Sequence, residues 1–121
     1  PRIPNESSTG KVVGDVKGQT CVVIDDMIDT AGTITKAVDA LYAEGAKDVI
    51  IAATHAVFSG PAVERLKASN VSEVVVTDTL PIPEDSRFDG LTILPIAPLL
   101  ARAIREVFED GSVTSLFDGH S

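Results

Sequence analysis

The stretch Cys21-Val22-Val23-Ile24-Asp25-Asp26-Met27-Ile28-Asp29-Thr30-Ala31-Gly32-Thr33 decides how this chain folds. Its first four residues form an unbroken apolar run, which predicts a strand over Gln19–Asp25 covered on both faces. Two acids close that strand, a third follows, and small and hydroxylic residues then lead straight on. From Thr33 the apolar positions Ile34, Ala37, Val38, Leu41 and Tyr42 keep helical spacing, and Gly45 supplies a left-handed stop.

Downstream, Val49, Ile50, Ile51, Ala52 and Ala53 repeat the buried-strand pattern over Asp48–Thr54. Ser59-Gly60-Pro61 predicts a cap and a proline near the first turn of a short helix lined by Ala62, Val63 and Leu66. Val74, Val75 and Val76 make a third strand, Pro81–Gly90 a loop rich in proline and charge, and Leu91–Leu94 a short fourth strand. Pro98 opens a last helix whose Leu99, Leu100, Ala103, Ile104, Val107 and Phe108 form one stripe, with Gly111 ending it. Upstream, Lys11–Val16 suggests a short strand weakened by Gly14, and Pro1–Gly10 is a polar, proline-broken connection. The first two crossovers have the length of a helix, so the expected class is α/β: a three-layer α/β/α domain, a parallel sheet with flanking helices.

Composition narrows the function. A chain of 121 residues suits one domain, and its single cysteine excludes a disulfide scaffold or a zinc module and favours a reducing compartment. The net charge of −8 argues against nucleic acid, whose phosphates need clustered cations. No apolar run approaches the roughly 20 residues of a membrane span, and no signal segment opens the chain, so a cytoplasmic protein without a membrane partner is expected. The chain begins at Pro1 without a methionine, which suggests a piece of something larger.

In parallel α/β sheets a ligand sits beyond the carboxyl ends of the strands. There Thr30, Ala31, Gly32 and Thr33 offer little side-chain bulk, so backbone N–H groups and a helix N-terminus can surround an anion, with two hydroxyls beside them. A phosphate monoester suits such a loop. The same residues would also make a plain strand-to-helix turn with capping threonines. The three nearby carboxylates weigh against that, because they repel one another and ordinary folding gains nothing from them. A ribose beside the phosphate would let Asp25 and Asp26 accept hydrogen bonds from vicinal hydroxyls, and Mg²⁺ could share their charge. The plainer alternative has Asp29 capping the helix while Asp25 and Asp26 are solvated.

Neither GxxxxGK[ST] nor GxGxxG occurs, and Asp25–Lys36 has Thr30 and Lys36 where a calcium loop needs Gly and Glu. His55 stands at a strand end without a metal-spaced partner, which favours a structural role, and Cys21 within an apolar run suggests a core residue. His120 lies in a polar tail, and the sequons at Asn5 and Asn70 are incidental in a cytoplasmic protein.

The run Val23–Thr33 resembles the phosphoribosyl diphosphate-binding motif of the type I phosphoribosyltransferase-like fold. Its Asp29-Thr30-Ala31-Gly32-Thr33 form is typical of ribose-phosphate pyrophosphokinases. Ala53-Thr54-His55, Ser59-Gly60-Pro61-Ala62-Val63-Glu64-Arg65-Leu66 and Ser112-Val113-Thr114-Ser115-Leu116-Phe117 are similar to that family and unlike its base-transferring cousins. The resemblance implies transfer of the β,γ-diphosphoryl group of ATP to the 1-hydroxyl of ribose 5-phosphate, giving phosphoribosyl diphosphate and AMP for nucleotide biosynthesis. It implies ribose 5-phosphate and ATP as ligands, a homo-oligomer, hexameric at full length, and Mg²⁺ with most of its ligands outside this chain. Residues 11–121 would be the ribose-5-phosphate-binding C-terminal domain of a larger enzyme, and residues 1–10 the remnant of a flexible loop. Asp29, Thr30, Ala31, Gly32 and Thr33 would hold the 5-phosphate, and Asp25 and Asp26 the ribose hydroxyls. Ser112 and Thr114 would help bind a regulatory phosphate or ADP.

Phosphoryl transfer needs cations to neutralise developing charge, yet no Lys or Arg occurs between Gly18 and Thr35. The cations must come from elsewhere. In the family they come from a Lys and an Arg on the flexible loop just upstream and from the N-terminal part of the enzyme, none of them in this chain, so no catalytic residue or metal site is expected here and the piece alone should not turn over. Two other functions share the loop: a base-transferring phosphoribosyltransferase, and a non-catalytic regulator built on the same fold.

Overall fold

The structure, a computed structural model, describes residues 14–109. Eight elements follow in order: β1 (Thr20–Ile28), α1 (Gly32–Ala43), β2 (Asp48–Ala56), α2 (Ala62–Ala68), β3 (Glu73–Thr77), the 3₁₀ turn η1 (Glu84–Ser86), β4 (Leu91–Leu94) and α3 (Ala97–Phe108). The strands form one parallel sheet in the order β1-β2-β3-β4. The expected α/β class, with helices flanking a parallel sheet, is the one observed.

Register explains where the core lies. Val23 pairs with Ile51, Ile51 with Val74, and Ala53 with Val76, so these side chains share one sheet face. Ile34, Val38 and Leu41 of α1, with Ala62 and Leu66 of α2, close over that face, and all of them are buried. The opposite face is treated differently. Val22 and Ile24 remain 53% and 76% exposed, so the coverage expected on both sides of β1 holds for one side only among the described residues. A run of apolar residues shows that a strand can be covered twice; which layers cover it depends on chain far away in sequence.

Other expectations need correction. β1 runs three residues beyond Asp25, so Asp25 and Asp26 lie within the strand instead of ending it. The proposed strand over Lys11–Val16 is absent over Gly14–Val16, its earlier part lying outside the described residues. Ser59 does not cap α2 with its side chain; Pro61 is the N-cap, and Ser59 contributes its carbonyl, which accepts the Ala62 N–H at 3.1 Å. The stripe of α3 is not a core stripe either, since no α3 residue is buried and Ile104 and Phe108 are 68% and 87% exposed. α3 ends at Phe108 with Glu109 as its C-cap, before the expected end at Gly111, a residue outside the described ones.

Gly45 does what its position suggested. Its φ of 97° lets the chain leave α1, and its carbonyl accepts the Gly18 N–H at 2.8 Å. A Cβ there would meet the Lys17 side chain at 3.1 Å.

Candidate functional site

The loop between β1 and α1 is fixed from behind by the β2–α2 connection. Ile28 O accepts the N–H groups of Val57 and Phe58, both at 3.0 Å, and Asp29 O accepts that of Ser59 at 2.8 Å. Thr30 O takes a fourth contact, from Arg65 Nη1 of α2 at 3.1 Å. Three consecutive carbonyls are therefore tied down, two by the β2–α2 connection and the third by α2 itself. Ala31 turns the chain into α1 with φ 69° and ψ 9°, a left-handed conformation unusual for a residue with a Cβ, and its methyl is buried.

α1 starts bare. No side chain caps its N-terminus and its first turn carries no acid. The capping part of both plain alternatives is therefore absent: Asp29 does not cap α1, and Thr30 and Thr33 make no capping bond. Thr35 instead turns its hydroxyl back onto the carbonyl of Ala31 at 2.6 Å. The first-turn N–H groups of α1 have no intrahelical partner, and the positive end of its dipole faces outward beside the exposed Thr30 and Thr33.

Asp25, Asp26 and Asp29 are all exposed. Asp25 Oδ1 accepts the Asp26 N–H at 2.8 Å, which draws its carboxylate along the strand towards its neighbour. The sequence-predicted residues Asp25, Asp26, Asp29, Thr30, Ala31, Gly32 and Thr33 thus lie together on one strand end and the turn after it. Ser112 and Thr114 lie outside the described residues. Among the described residues no group of three or more His, Cys, Asp or Glu converges as a metal centre.

A polar network borders the loop. His55, opposite Met27 in the register, places Nδ1 at 2.7 Å from Thr79 Oγ1. Thr77 Oγ1 donates to Thr54 O at 2.7 Å, and Asp78 Oδ1 accepts the Ile96 N–H at 2.9 Å where α3 begins. Cys21 is half-buried and packs against the core. On the helical side, Thr30, Gly32, Thr33, Lys36, Arg65 and Ser69 border an open groove of about 570 Å³ between α1 and α2. Arg65 is the residue sequence reasoning passed over. The signal was present in the missing cation of the loop, but nothing local says which distant Lys or Arg reaches it.

These features define a parallel α/β domain whose candidate site lies at the carboxyl end of its first strand. The sequence matches the family described as phosphoribosyl synthetase-associated domain over residues 2–118, and the chain belongs to that family. It is 64% identical over 119 residues to the ribose-phosphate pyrophosphokinase of Mycobacterium tuberculosis, covering 98% of this chain and 36% of that protein. It is 63% identical to the enzyme of that name from Streptomyces avermitilis, over 96% of this chain and 36% of the relative. Among solved structures, phosphoribosylpyrophosphate synthetase from Mycobacterium smegmatis superposes with a TM-score of 0.80 at 61% identity, over 88% of this chain and 36% of the other. The chain spans about a third of the length of the curated relatives it matches.

Proposed function

We propose that this chain supplies the ribose 5-phosphate site of a ribose-phosphate pyrophosphokinase and corresponds to its C-terminal domain. The observation that carries this reading is the uncapped, acid-free N-terminus of α1, reached through a small-residue loop from a strand whose last residues include the paired aspartates Asp25 and Asp26. The free N–H groups of that turn and the hydroxyls of Thr30 and Thr33 take the 5-phosphate. Asp25 and Asp26 accept hydrogen bonds from the ring hydroxyls and so orient the sugar, leaving its 1-hydroxyl to face the diphosphoryl donor. ATP and Mg²⁺ are held largely by the rest of the longer polypeptide, and the metal supplies neutralisation of phosphate charge when bound. The enzyme works as a homo-oligomer, with Ser112 and Thr114 contributing to a regulatory phosphate or ADP site.

Calorimetric titration with ribose 5-phosphate, ribose and inorganic phosphate tests the site. Ribose 5-phosphate is expected to bind, with inorganic phosphate competing and ribose binding far more weakly. The 121-residue chain with ATP and Mg²⁺ should form no phosphoribosyl diphosphate, whereas the native polypeptide carrying it should. Absence of ribose 5-phosphate binding by that polypeptide would overturn the proposal. Release of diphosphate from phosphoribosyl diphosphate in the presence of a free base would replace it with base transfer.

A further inference from the structure

We infer that Arg65 is a positioning residue for the phosphate loop, acting through the Thr30 carbonyl from the helix behind it. The inference rests on reading Asp29–Thr33 as the phosphate-binding turn. A backbone carbonyl presents negative charge, and a phosphate is best bound where carbonyls turn away and N–H groups turn towards it. The carbonyls of Ile28 and Asp29 are turned away by amides of Val57, Phe58 and Ser59. At Thr30 the β2–α2 connection supplies no further amide, and the Arg65 Nη1 takes over at 3.1 Å.

A second contact shows how closely the guanidinium lies against the turn. A Cβ built on Gly32 would stand 3.0 Å from Arg65 Nη1. Glycine at this position therefore admits the arginine as well as the anion. Its φ is not in the left-handed region, so the backbone itself would accept alanine. Arg65 makes no ion pair with an acid among the described residues, and Asp39 lines the same groove. The guanidinium thus both holds the Thr30 carbonyl and sets a positive charge behind a turn whose own sequence has none. Ala31, left-handed and buried between Thr30 and Gly32, is held in shape from both sides.

The test uses the native polypeptide and three variants: Arg65→Met, Arg65→Lys and Gly32→Ala. Arg65→Met is expected to raise the KM for ribose 5-phosphate about tenfold, the size of one lost hydrogen bond to a charged group, with kcat changed by less than about twofold. Ribose binding should not move, and Tm should stay near that of the parent. Arg65→Lys should recover part of the loss, because a lysine can reach the carbonyl as a point donor without the fixed fork. Gly32→Ala displaces the guanidinium, so combining it with Arg65→Met should cost less than the sum of the two. Unchanged KM in Arg65→Met, or equal losses for ribose and ribose 5-phosphate, would overturn the inference. If the parent polypeptide itself binds neither ribose 5-phosphate nor inorganic phosphate, the phosphate-loop reading fails first, and the two failures are told apart.

Discussion

The hydroxyl of Tyr42 donates to the carbonyl of Asn70 at 2.6 Å while accepting the N–H of Val49 at 3.2 Å. One side chain at the end of α1 therefore closes the α2–β3 loop and the start of β2, where Val49 is fully buried. Tyr42→Phe keeps the ring and leaves that amide without its acceptor. It should destabilise the protein by about 1–2 kcal/mol, read as a lower urea midpoint with an unchanged m-value.

Ala31 holds a left-handed backbone with its methyl buried. Ala31→Gly releases the strain but loses a packed methyl and frees the unfolded chain, so stability should move by no more than about 1 kcal/mol, with ribose 5-phosphate binding kept. Ala31→Val puts a β-branched residue where φ is 69° and space is closed, and should cost at least about 2 kcal/mol together with the binding. Paired denaturation and titration of the two variants checks the contrast.

Asp25 and Asp26 serve the sugar and not the phosphate in the proposed site. Asp25→Asn and Asp26→Asn should each weaken ribose 5-phosphate about tenfold and leave the inhibition constant of inorganic phosphate nearly unchanged. Equal weakening of both ligands would place the carboxylates elsewhere. This pattern is the mirror of the one expected for Arg65→Met, where phosphate binding weakens through the displaced turn and ribose binding does not move.

Asp78 ties the end of β3 to α3 through the Ile96 N–H at 2.9 Å. None of α3 is buried among the described residues, and this bond is one of the contacts that fix its start. Asp78→Ala should cost about 1 kcal/mol and raise the hydrogen-exchange rates of the first-turn amides of α3 well above those of α1.

Much of the molecule was legible in the residues themselves because the signals are local. The apolar runs at Cys21–Ile24 and Val49–Ala53, the helical spacing from Ile34 to Tyr42 and the turn at Gly45 each depend on neighbours within a few positions. The cluster of Asp25, Asp26 and Asp29 beside Thr30–Thr33 is contiguous in sequence, so no folding was needed to bring it together. Even there a local rule failed: Asp25 and Asp26 read as strand-ending acids, yet β1 continues to Ile28 because β2 offers partners as far as Ala56.

What the sequence determined by itself is the alternation of parallel strands and helices and the identity of a small-residue turn rich in acids, since backbone periodicity and side-chain size act at short range. The tertiary structure decided which sheet face is covered, why Ala31 adopts its left-handed turn, and which cation stands behind a loop that has none. Arg65 lies 35 residues from Thr30 and Tyr42 lies 28 from Asn70. Those pairings arise only when α1 and α2 pack on the same face of one sheet, and that packing is set by the joint burial of Val38, Leu66, Ile51 and Val74.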